Sequence, residues 1–296
     1  MPPAVALLVA FLVLLGSGVS GAAWAACLGA VANASPTFLE PASFRPSLPP
    51  GLQTGLAAGA LPFQLAQERS QGLRPAPPQG QVRITFVGHA TFLIETPGGA
   101  SAATDYNDYL RPDVTPDIAT MNHAHTTHFT NNPDPGIKHL LRGWPYDGKP
   151  ARHNLAYKDL RVRNVPTNIR NWGGGTEYDG NSIFIFDAAD ICIAHLGHLH
   201  HRLEPGHLAD MGRIDVVLVP VDGGYTLNQT EMVEVIRQLK APLVIPMHYF
   251  GDHTLERFLS QLRDTHAVTL SDKNFIQVGR PTLPPKPTVV ILPGPH

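Results

Sequence analysis

Residues 121 to 128 read Met121-Asn122-His123-Ala124-His125-Thr126-Thr127-His128, which places three histidines within six residues. The approach, Asp117-Ile118-Ala119-Thr120, is apolar and β-branched, the pattern of a strand end. A turn leaving a strand end can aim His123, His125 and His128 at one point. Neutral imidazoles gathered in this way make a transition-metal site, for which zinc is the first choice. The competing reading is a solvated loop that happens to carry histidines, but a loop rooted on a rigid scaffold is where sites are built. The chain must then fold so that further donors arrive at this strand end from elsewhere.

The bulk numbers allow such a scaffold. At 296 residues with 43% hydrophobic content, the chain can bury the core of one large domain. A net charge of −2 with 16% charged residues gives no electrostatic footprint for nucleic acid, so a small-molecule substrate is the expected partner. Fifteen histidines against two cysteines exclude a cysteine-rich structural zinc module.

Val5 to Leu15 is an apolar run of signal-peptide length, and Ala23-Trp24-Ala25 supplies small residues before a cleavage site. A run of about eleven residues is too short to cross a bilayer as a helix, which needs about twenty. Residues 1–25 are therefore expected to be a signal peptide, the mature protein to be exported, in all expectation periplasmic, and no stable membrane insertion to follow. The alternatives are an uncleaved anchor or a lipidated Cys27. In an oxidising compartment Cys27 and Cys192 can pair, but Cys192 sits in an apolar, strand-like run and reads as a buried free thiol.

Residues 26–81 are rich in Pro, Gly and Ala without helix or strand period and read as an arm or linker, with folded structure beginning near Val82. Val82 to Phe86, Thr91 to Thr96, Asp117 to Met121, Leu160 to Val165, Ser182 to Asp187 and Ile191 to Ala194 have strand patterns. Val216 to Val221 and Leu243 to Ile245 read as strands buried on both faces. Asn228 with Glu231 marks a helix start, and Leu255, Phe258, Leu259 and Leu262 follow helical spacing. Phe275 to Val278 suits a closing strand, and the proline-rich residues 281–296 read as a tail. Mixed strands with helices arriving late in each half fit an α/β fold, an αββα sandwich of two mixed β-sheets flanked by helices.

The histidine spacing resembles the His-x-His-x-Asp-His signature of the metallo-β-lactamase-fold superfamily, with Thr127 in place of the aspartate. Further matches follow in family order: Phe86-Val87-Gly88-His89-Ala90-Thr91-Phe92-Leu93-Ile94, the acidic turn at Asp105, Ala194-His195-Leu196-Gly197-His198, Val219-Pro220-Val221-Asp222-Gly223-Gly224 and Ile245-Pro246-Met247-His248-Tyr249. The set is closest to the lactonase-like, zinc-dependent hydrolase branch and spans about residues 82 to 280. It implies metal ligands at His123, His125, His128 and His248. Asp105 would lie behind the metal histidines, fixing a ring nitrogen; on the sequence alone a turn-capping role is equally open.

Three positions depart from the pattern: Thr127, Ile169 and His198, the last standing where the family has its bridging aspartate. Two anionic ligands are thereby lost, and a neutral imidazole does not bridge two cations whose repulsion then goes uncompensated. One zinc ion is expected in place of two, held by three or four of His123, His125, His128, His198 and His248, with His200 or His201 as a further replacement. The implied chemistry is hydrolysis of a small ester, lactone, amide or phosphoester by a metal-activated water. The alternative is a catalytically weak periplasmic metal-binding protein, a sensor or carrier. Thr127, His89 and Asp222 are the candidate catalytic residues: Thr127 to hold the nucleophilic water, His89 near the pocket, and Asp222 either to orient a ligand, to take a proton, or simply to cap a turn.

Overall fold

The structure, a computed structural model, describes Cys27, residues 74–171 and residues 173–295. The proposed signal peptide and most of the arm lie outside the described residues.

Alternation along each strand decides how the sheets stack. In β1 (Val82–Gly88) the side chains of Val82, Ile84 and Phe86 share one face, and β2 (Thr91–Glu95) adds Phe92 and Ile94 to it. With β3 (Ser101–Ala103), β4 (Ile118–Met121), β5 (His139–Arg142) and β13 (Phe275–Val278) they form a mixed six-stranded sheet ordered β13-β1-β2-β3-β4-β5. The second sheet contains β6 (Asn154–Tyr157), β7 (Leu160–Arg170), β8 (Thr176–Ala188), β9 (Ile191–His195), β10 (Val216–Pro220), β11 (Leu243–Met247), β12 (Ala267–Leu270) and β14 (Thr288–Ile291). Its order is β12-β14-β11-β10-β9-β8-β7-β6.

The two sheets face each other across one apolar layer. Phe86, Phe92 and Ile118 from the first sheet meet Val162, Phe184, Phe186, Leu218, Ile245 and Met247 from the second. The second sheet is apolar on both faces, which explains its unbroken hydrophobic runs: Val216 and Leu218 point to the first sheet, while Val217 and Val219 lie under helices. Those helices are α1 (Pro205–Met211), α2 (Gln229–Leu239) and α3 (Asp252–Ser260), which bury Met211, Met232, Val233, Ile236, Phe258 and Leu259 on the sheet. Helix α2 begins where Asn228 accepts a hydrogen bond from the Glu231 backbone at 3.0 Å. On the far side of the first sheet, loop residues Tyr106, Phe129, Ile137 and Trp144 cover Ala103, Ala119 and Met121. The molecule is thus an α/β sandwich of two mixed sheets.

Two expectations need correcting. The stretch after Pro281 is not a tail: Thr288-Val289-Val290-Ile291 forms β14, parallel to both β11 and β12 and lying between them. The prolines precede the strand at Pro284, Pro285 and Pro287, so they cost the sheet no amide donors. Cys192 is not a free thiol either, because it is joined to Cys27 in a disulfide with Cα atoms 5.7 Å apart. The buried Arg163 accompanies this tether, donating to the carbonyls of Cys27, Asp210 and Met211.

Candidate metal centre

Each candidate ligand sits just beyond a strand. His125 and His128 lie in the turn after β4, which closes on itself as His128 N donates to His125 O at 2.9 Å and Asn122 N to His128 O at 3.1 Å. His198 follows β9, where Gly197 takes φ 59° and has no room for a side chain, since a Cβ would collide with Asn122 and Asn181. His248 follows β11 and is bound through its backbone N–H to His89 O at 2.8 Å. His248 and His89, with φ of 51° and 52°, and Asp105, with φ of 40°, are non-glycine residues in the left-handed region. Such conformations are costly and persist where the surroundings over-determine them.

These three segments bring one nitrogen each from His125, His128, His198 and His248 to within 4.8 Å of one another. Oxygen acceptors stand behind three of the rings. Asp105 Oδ2 lies 2.6 Å from His128 Nδ1 and is itself held by Asn122 Nδ2, 2.9 Å from Oδ1. Thr127 Oγ1 lies 2.7 Å from His125 Nδ1 and also 3.2 Å from His89 Nε2. Asp222 Oδ1 lies 3.1 Å from His248 Nδ1, a charge contact more than an aligned hydrogen bond. An acceptor behind Nδ1 leaves the lone pair on Nε2, the form a metal needs. Nε2 of His128 and of His248 is buried without any hydrogen-bond partner. Buried orphan lone pairs are expensive, so they mark a place for an electron acceptor, and the donor set fits a transition metal.

Burial favours the neutral form of three of the rings, as ligation requires. Burial first, then the neighbouring His248, holds the pKa of His125 below its ordinary value; burial takes those of His128 and His198 well below it. Burial, with His248 and His125 nearby, lowers His89 to about 3. Burial raises Asp105 to about 6. For Asp222 burial acts upward, but the neighbouring His248 and hydrogen bonds from Thr226 and Gly224 outweigh it and leave the carboxyl far below its usual range.

The remaining sequence candidates fall in different places. His123 does not join the group: its ring is turned outward, with Nδ1 2.7 Å from Glu177 Oε1 and tilted contacts to the rings of Phe129 and Trp144. Asp222 is not poised to move a proton, because its oxygens already accept from the backbones of Gly224, Tyr225 and Thr226 and from the Thr226 hydroxyl. Its place is to hold His248 and the following turn. His195 is buried and donates from Nε2 to Ala90 O at 2.8 Å, bracing a strand end. His201 Nε2 accepts from the Asn168 backbone at 3.1 Å, outside the group, while His200 Nε2 lies 2.5 Å from His198 Nδ1.

Sequence reasoning missed Arg170 and Glu177. Both belong to the extended β7–β8 hairpin, and with His125, His198, His200 and Tyr225 they line a cavity of about 230 Å³ beside the histidines. Phe250 and Tyr225, exposed and 5.6 Å apart between ring centres, form an aromatic rim next to His248.

Several known proteins resemble this chain. A curated protein from Methanoculleus marisnigri, described as a metal-dependent hydrolase, is 26% identical over 219 residues, covering 64% of this chain and 91% of that protein. Another so described, from Pyrococcus horikoshii, is 27% identical and covers 57% of this chain and 84% of its own. A crystal structure from Thermotoga maritima, named as a candidate Zn-dependent hydrolase of the metallo-β-lactamase superfamily, is 28% identical with a TM-score of 0.55, covering 73% of this chain and 100% of that one. The β-lactamase superfamily domain is matched over residues 83–248, more than half of the chain and every element of the histidine centre. The protein therefore belongs to the β-lactamase superfamily.

Proposed function

We propose that this protein is a metal-dependent hydrolase of a small ester, lactone, amide or phosphoester, with one zinc ion held by the buried histidines. The observation that carries the reading is the convergence of His125, His128, His198 and His248 on a point where two buried nitrogens have no other partner. The relatives described as metal-dependent hydrolases support it. A bound ion would polarise the attacked carbonyl or phosphoryl oxygen and acidify water.

The chain's own residues do the rest. Asp105 and Thr127 behind Nδ1 of His128 and His125, and Asp222 facing Nδ1 of His248, favour protons on the outer nitrogens and lone pairs that face inward. The Thr127 hydroxyl, shared between His125 and His89, can also steer a water. Tyr225, Phe250 and Ile169 supply apolar surface for the substrate's non-reacting part, and Arg170 and Glu177 set the polarity of the cavity wall. Oxidation of Cys27 with Cys192 supports export to an oxidising compartment such as a periplasm.

A second reading, a metal-binding protein with weak or no catalysis, is favoured by the neutral donor set: Thr127 and His198 stand where the resembled family has carboxylates. Protein purified without a histidine tag should contain close to one equivalent of zinc, and it should hydrolyse generic ester, lactone or phosphodiester probes. Loss of hydrolysis in His125→Ala supports the enzyme. Full activity in that variant refutes the proposed water activation, and metal retention without any hydrolysis supports the second reading.

A further inference from the structure

We propose that His198 is a hydrogen-bond donor beside a three-histidine centre of His125, His128 and His248, and not a fourth ligand. This rests on the metal-centre reading above and specifies its ligand set.

The assignment follows from a chain of donors that starts outside the centre. Arg170 donates twice to His200 Nδ1, from its backbone N–H at 2.9 Å and from Nε at 3.1 Å. His200 Nδ1 must therefore carry a lone pair, and a neutral imidazole then has its proton on Nε2. That Nε2–H lies 2.5 Å from His198 Nδ1 and donates to it. His198 Nδ1 is thus an acceptor, so the proton of His198 is on Nε2, the nitrogen turned toward the centre. It sits 3.1 Å from His125 Nε2, whose own lone pair faces the centre when the Thr127 hydroxyl accepts from His125 Nδ1, and which turns to the cation when one is bound.

The other three rings have the reverse arrangement. Oxygens of Thr127 and Asp105 lie 2.7 and 2.6 Å from Nδ1 of His125 and His128, and Asp222 Oδ1 faces His248 Nδ1 at 3.1 Å; each favours a proton on Nδ1 and a lone pair on Nε2 for a cation. Behind His198 stands a donor. A protonated Nε2 has no lone pair to offer an ion, but it can donate to an oxygen of water or substrate. Where the resembled family places a bridging carboxylate, this chain places an N–H. The change removes the bridge needed by a second ion and adds a donor suited to negative charge developing on an acyl or phosphoryl oxygen.

The arrangement is built, not incidental. Arg170 Nη2 is fixed by the carbonyls of Gly224, Tyr225 and Thr226 at 2.9, 3.1 and 3.0 Å, which directs its Nε at His200. The His198 backbone donates to Asn181 Oδ1 at 2.7 Å, which fixes the root of the ring.

The test is zinc affinity of the full chain without a histidine tag, measured by competition with a chromophoric chelator in wild type, His198→Gln and His248→Gln. Expected are a change within about threefold for His198→Gln and a loss of about a hundredfold or more for His248→Gln, the scale of losing a ligand. Equal losses in both variants would make His198 a ligand and overturn the proposal. Imidazole nitrogen NMR of the zinc-loaded wild type reads the same point without a variant: a proton on His198 Nε2 supports the proposal, and one on Nδ1 overturns it. Failure of the wild type to bind zinc at all would remove the metal reading itself, a result distinct from either of these.

Discussion

Asp222→Asn separates a residue that positions a ligand from one that moves a proton. The wild-type carboxylate accepts from Gly224 N at 2.8 Å, Tyr225 N at 2.5 Å, Thr226 N at 3.1 Å and Thr226 Oγ1 at 2.5 Å, and also faces His248 Nδ1 at 3.1 Å. The amide keeps a single oxygen, and its best orientation gives that oxygen to the three backbone N–H groups. Its NH₂ then meets the Thr226 hydroxyl, which can rotate to accept, and His248 Nδ1–H, which cannot. Relief requires His248 to move its proton to Nε2, and that takes away the lone pair facing the centre. The loss of a supporting partner of this kind costs about 10- to 100-fold in metal affinity, or about 1.4–2.7 kcal/mol. Weakening charge-assisted hydrogen bonds to neutral ones should also lower the stability of the metal-free protein by about 1–3 kcal/mol. Chelator competition reads the first effect and urea unfolding the second. Unchanged zinc affinity accompanied by a fall in kcat alone would refute the positioning role and restore Asp222 as a proton carrier.

Three further outcomes are expected. His123→Ala should leave zinc affinity within about twofold, whereas His128→Ala should lose about a hundredfold, since of these two residues only His128 has a buried nitrogen in the group; equal effects would contradict the outward placement of His123. Removing the disulfide by Cys27→Ser should lower the urea midpoint, because closing a loop of sequence separation 165 contributes about 5 kcal/mol in the chain-entropy account, an upper bound; an unchanged midpoint would show that the bond does not form. Burial raises Asp187 to about 6 from an ordinary 3.8, so the folded state takes up a proton before the unfolded one does. This contribution to stability is fully present below 3.8 and lost as pH rises through about 6. Unfolding measured across pH 4–7 should therefore show wild type gaining on Asp187→Asn with acidification, by up to roughly 2 kcal/mol.

Much of the architecture was legible because burial on both faces leaves a mark in sequence. Val216 to Val221 and Leu243 to Ile245 could belong only to central strands, and the histidines following such strands were therefore candidates. The four-residue run Thr288-Val289-Val290-Ile291 was equally β-prone, but the surrounding prolines concealed that its amides were free to pair. His123 shows a different limit. Spacing places a side chain near a strand end, but Glu177, 54 residues away on another sheet, decides where its ring points. Arg170 and His200 carry no motif, and their importance lies in which nitrogen bears a proton, a property that only the hydrogen-bond network expresses. The Cys27–Cys192 pair was visible as a possibility, but a strand-like apolar setting suits a thiol and a disulfide equally.

The C-terminal stretch does more than fill a gap between β11 and β12. Beyond β14, Pro295 O accepts the His89 backbone N–H at 2.9 Å, and Gly294 is pressed against Phe86. His89 in turn carries the backbone of His248 and shares the hydroxyl of Thr127. A perturbation of Gly294 or Pro295 would thus reach the histidine cluster through only two residues, His89 and His248.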